Sequence, residues 1–176
     1  MIALALGLFL LMQSAQSGPS QTVEIFGPDT VVIDGKAVRL WGTTPFAADQ
    51  KCSEASSRSG TCDDLAHELL TKWIEDGRAS IELLTAQNHP EFAQIQWVRC
   101  NVVETSNEAD QVGRCEILNP SCYGVVCEEV WYDLGEDLIA SGAVTQNRRQ
   151  TSGTYDDAED AARAGELGGW ATLVVN

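Results

Sequence analysis

The chain has 176 residues, 44% of them hydrophobic and 21% charged, which suits one domain with a real core and excludes disorder over most of its length. Its 26 acidic side chains against 11 basic ones give a formal net charge of −15. A field of that sign repels polyanions, which speaks against tight generic binding of nucleic acid or of an anionic membrane, and any phosphate site must be local.

In chain order, an uncharged apolar run over residues 2–12 is followed by a small, polar stretch over 13–18. This pattern predicts an export signal over residues 1–18, with a buried N-terminal helix as the alternative. The run is too short to span a bilayer, and Cys52 is the first cysteine, far beyond the place where a lipid anchor would sit. The expected mature product is a membrane-free periplasmic or secreted protein: one domain over 22–170 and a tail over 171–176. Residues 22–26 and 30–33 are rich in β-branched side chains, and Asp34-Gly35 is a hairpin turn. In residues 36–41, Val38 and Leu40 point one way and Arg39 and Trp41 the other. A polar loop over 43–60 leads to a helix that opens at Thr61, with Asp64 three residues on, and stops at Gly77. Residues 78–85 and 94–103 read as two more strands, and short helices follow at 135–141 and 155–164. Five strands with a helix after the third predict an α+β fold built on a small barrel of the oligonucleotide/oligosaccharide-binding type, with a β-sandwich left open by pattern alone.

Six cysteines in an exported chain predict disulfides. Zinc is disfavoured because C-x-x-C is absent and His67 and His89 lie apart from the cysteine cluster. Cys52 and Cys62 flank a Ser/Gly-rich loop and are natural partners, and closing it stabilises the fold by about 2–3 kcal/mol. Cys100, Cys115, Cys122 and Cys127 are left with their pairing open.

Further motifs occur in series: Gly27-Pro28-Asp29-Thr30, Asp34-Gly35-Lys36, Val38-Arg39-Leu40-Trp41-Gly42, Gly113-Arg114, Gly135-x-Asp137-Leu138, and Tyr155-x-x-Ala158-Glu159-x-x-Ala162 with a late Trp170. The series resembles the thermonuclease (staphylococcal-nuclease-like) family over residues 22–170. The resemblance implies a five-stranded barrel with three helices. It also implies a phosphodiester hydrolase in which calcium is held by two aspartates and a backbone carbonyl, a glutamate activates water and two arginines clamp the phosphate.

By this resemblance Asp29 is the first calcium ligand, and Arg39 and Arg114 are the phosphate clamp. The chain then departs from the pattern, because Thr43-Thr44-Pro45-Phe46-Ala47 stands where the family has I-D-A-P-E. The second aspartate (Thr43/Thr44) and the glutamate therefore have no counterpart, which costs metal affinity and the general base. The expectation is a poor or inactive nuclease that binds a nucleotide, another phosphate-bearing ligand or a protein partner. The alternatives are a calcium-dependent endonuclease with a rearranged site, drawing on Asp49 or Glu54, and a protein-interaction barrel. Each retained residue also has a plain reading: Asp29 as a turn residue, both arginines as partners of nearby acids, and the acids of 155–164 as a solvated helix face.

Overall fold

The computed structural model describes residues 21–52, 60–87, 89–107, 110–123 and 126–172. The expected export signal lies outside the described residues, as do residues 173–176 of the expected tail. Strands β1 (Val23–Gly27), β2 (Thr30–Ile33) and β3 (Lys36–Leu40) form an antiparallel meander. Asp34 and Gly35 both take positive φ, 50° and 79°, the backbone that a two-residue hairpin with matching twist requires. Alternation along β3 buries Val38 and Leu40 and leaves Arg39 exposed.

After the short β4 (Thr43–Pro45), helix α1 (Cys62–Ala86) opens on Thr61 and Asp64, each bonding the other's backbone N–H. It lays Leu65, Leu70, Ile74, Ile81 and Leu84 on the core, the spacing of one helix face. Strands β5 (Val98–Asn107) and β6 (Asp110–Leu118) pair antiparallel, and a small hairpin follows from β7 (Ser121–Tyr123) and β8 (Val126–Glu128). Strand β9 (Trp131–Asp133) runs into α2 (Leu134–Ala140). Then come β10 (Val144–Gln146), α3 (Arg148–Thr151) and α4 (Asp156–Ala164).

The main sheet has the order β1-β2-β3-β6-β5, and β3 lies parallel to the start of β6. Where β3 ends, with the Trp41 N–H donating to the Gly113 carbonyl, β9 takes over and pairs with Glu116–Leu118. A separate two-stranded sheet joins β4 to β10. The fold is α+β, as the sequence predicts. The described strands do not close into a ring, however, and their number exceeds five, because short pairings occur at 43–45, in a stretch that reads as loop, and at 121–133 and 144–146, where the sequence reading assigns no element.

Three elements depart from the sequence reading. Residues 78–85 are the last turns of α1, not a strand, and Gly77 does not end the helix. A Cβ at Gly77 would stand 2.8 Å from Ile117 Cδ1, so this glycine is a point of close helix–sheet approach. The strand expected at 94–103 begins at Val98, after a 3-10 turn at Pro90–Gln94. In α4, Glu159 is no solvated acid: it is 2% exposed, accepts the Gln146 N–H and pairs with Arg148 and Arg163.

All six cysteines are bridged, as Cys52–Cys62, Cys100–Cys115 and Cys122–Cys127. Such bridges persist in oxidising compartments. No helix among the described residues is long and apolar enough to cross a membrane.

Candidate functional site

Register decides which predicted site residues meet. Arg39 lies beside Val112 in the parallel β3–β6 pair, and Arg114 is two residues further along β6, so both arginines stand on the face turned away from Val38 and Leu40. Sheet spacings put their Cα atoms roughly 8 Å apart. Asp29 sits in the β1–β2 turn beside Thr30, which pairs with Arg39. Sheet topology thus gathers Asp29, Arg39 and Arg114 into one neighbourhood.

The Asp29 side is closed. The residue is 6% exposed, Oδ1 accepts the Thr30 hydroxyl at 3.1 Å and Oδ2 the Thr43 hydroxyl at 3.4 Å. Its backbone carbonyl accepts the Leu40 N–H at 2.7 Å. Burial raises the carboxyl pKa, opposed by the Thr30 hydroxyl and by the charge of Arg39. Thr43 is itself buried, its hydroxyl also donating to the Leu40 carbonyl, while Thr44 is exposed and offers a carbonyl to the Thr145 hydroxyl. The position of the missing second aspartate therefore holds a hydroxyl that turns inward onto the first.

The Arg114 side is built around a residue that the sequence reading passes over. Asp133 caps α2 through Oδ1, which accepts the Gly135 N–H at 2.9 Å and the Glu136 N–H at 3.3 Å. Its Oδ2 accepts Arg114 Nε–H and the Tyr155 hydroxyl, both at 2.6 Å. The bond to Asp133 raises the Arg114 pKa, whereas burial is the first cause that raises that of Tyr155, followed by its bond to Asp133. The Arg114 guanidinium lies 5.8 Å from the ring centres of Trp41 and Tyr155, which meet edge to face at 5.6 Å. Gly42 has φ +79°, and a Cβ there would stand 2.7 Å from the Tyr155 ring, so the chain turns hard against it. Asp133 immediately precedes an apolar helical run, an N-cap signal, but nothing in its sequence position ties it to Arg114 or Tyr155.

The arrangement presents a 44%-exposed arginine held at one nitrogen by an 8%-exposed carboxylate, between two aromatic rings, with Arg39 on the same face. Such a surface offers planar N–H donors to an anion and the half-buried Trp41 ring to a flat group; Tyr155 is buried and closed to one. The calcium that the resemblance implies does not fit. Asp29 is one carboxylate whose two oxygens already accept hydroxyls, and no group of three His, Cys, Asp or Glu able to hold a metal occurs among the described residues. The chain matches no protein-family profile and no curated protein sequence.

Proposed function

We propose that this chain is a divergent thermonuclease-like domain, of the oligonucleotide/oligosaccharide-binding type, that binds a small phosphate-bearing ligand at the Arg39–Arg114 face without hydrolysing it efficiently. The observation that carries the reading is the split between the two halves of the site. Arg39 and Arg114 share an exposed face, whereas Asp29 is closed over by Thr30 and Thr43. Half-buried Trp41 supplies aromatic surface beside Arg114, which favours a nucleotide over inorganic phosphate, while the buried Tyr155 holds Asp133 from within. Asp133 takes up part of the Arg114 charge, and the −15 background opposes long polyanions, so a mononucleotide binds better than duplex DNA.

A second reading has its own observation: Arg114, Asp133 and Tyr155 form a closed hydrogen-bonded set, the mark of a structural cluster in a protein-interaction domain. One experiment separates the two. The protein is titrated with a nucleoside 3′,5′-bisphosphate at low salt, and its turnover of single-stranded DNA and RNA is measured with calcium and with a chelator. The expected result is saturable binding, weakened about tenfold by Arg39→Ala and by added salt, with no calcium-dependent turnover. Absence of bisphosphate binding favours the protein-interaction reading. Turnover abolished by Asp29→Ala overturns both.

A further inference from the structure

The reverse side of β6 and β9 carries a second concavity. In their register Glu116 lies beside Asp133 and Ile117 beside Tyr132, so Tyr132 and Ile117 point away from the face of Arg114. Behind them, between α1 and α2, is a cavity of about 400 Å³. Trp73, Asp76 and Gly77 line it from α1, Ile117 from β6, Tyr132 from β9 and Asp137 from α2.

The lining has one sign of charge. Asp76 and Asp137 are its acids, and no Lys, Arg or His contributes to it among the described residues. Asp137 is unfavourably placed as an anion: burial first, then the nearby charges of Asp133 and Glu136, push its carboxyl up to about 6. Among the described residues no cation pairs with it. No third His, Cys, Asp or Glu joins these two acids in a metal-holding group among the described residues, and the other polar side chains of the lining are an indole, a phenol and an amide. Carboxylate charge combined with indole and phenol rings is the chemistry that holds a weakly hydrated ammonium group.

We propose that this cavity binds a small organic ammonium cation, with Asp137 and Asp76 as counter-charges and Trp73 and Tyr132 as aromatic walls. The cation relieves the repulsion that Asp137 feels from Asp133 and Glu136. The proposal does not rest on the phosphate reading, because Ile117 and Tyr132 point away from the Arg114 face; the two sites touch only through the charge that Asp133 exerts on Asp137.

The test is an NMR titration of the disulfide-intact protein with choline, following the Trp73 indole signal. A parallel arm uses 3,3-dimethylbutan-1-ol, which has the same shape without the charge. The expected result is a saturable shift with choline, at least about tenfold weaker binding of the neutral alcohol, and a loss of about tenfold in Asp137→Asn. Asp76→Asn weakens binding by about threefold, and Trp73→Leu by more than that. Circular dichroism confirms that each variant is folded, and Asp76→Asn, on the more exposed residue, keeps the test decisive if another variant is not. No saturable choline binding, equal binding of the alcohol, wild-type affinity in Asp137→Asn, or displacement of choline by equimolar calcium would each overturn the proposal.

Discussion

Two aspartates four residues apart in α2's first turns show how placement sets a carboxylate's role. Asp133 caps a helix N-terminus among four donors, and every lone-pair direction is used. Asp137 is set one turn deeper, with its carboxyl raised to about 6 against an ordinary 3.8. Because the folded value is the higher, Asp137 costs no stability below pH 4, where both folded and unfolded chains are protonated. The cost then grows as pH rises and is complete above pH 6. Partial solvent access reduces it to about 1–2 kcal/mol. Asp137→Asn should therefore raise urea-unfolding stability by that amount at pH 7.5 and leave it unchanged at pH 3.5. An equal effect at both values would show that packing, not charge, governs the position.

At the scale of elements, α1 shows where sequence patterns run out. Its start is written locally, since Thr61 and Asp64 need only each other. Its length is not, because Gly77 reads as a helix stop until Ile117, some forty residues on, is seen against it. A helical glycine normally improves on mutation to alanine by about 1 kcal/mol through propensity. Here Gly77→Ala should instead destabilise the protein by about 1–3 kcal/mol, read as a lower urea midpoint, because the added methyl meets Ile117 and the Leu118 carbonyl. A stabilised Gly77→Ala variant would refute the close approach. The same limit governs the candidate site. The Asp34-Gly35 turn and the β3 alternation were legible, being set by neighbouring residues. Asp133 as the partner of Arg114 was not, since that contact exists only once β9 replaces β3 along the edge of β6.

For the whole molecule, the one-signed charge and the local bridges belong to the same logic. Most basic side chains with a described partner are spent on internal acids: Arg99 on Glu116, Arg114 on Asp133, and Arg148 and Arg163 on Glu159. The surplus acid faces outward, which limits self-association. The bridges show a further regularity: each joins a cysteine to the next one along the chain, with separations of 10, 15 and 5 residues. A chain emerging N-terminus first into an oxidising compartment therefore presents its thiols already in their final order, and each pair can close before the next appears. Correct pairing then needs no reshuffling enzyme, only an oxidant and the order of synthesis. Chains synthesised cell-free into an oxidising glutathione buffer without an isomerase should carry the three native bridges as the main product, mapped by peptide mass spectrometry, whereas complete reduced chains oxidised all at once should give more crossed pairs. Equal yields of native pairs from complete chains and from chains under synthesis would show that the finished fold, rather than the order of arrival, selects the partners.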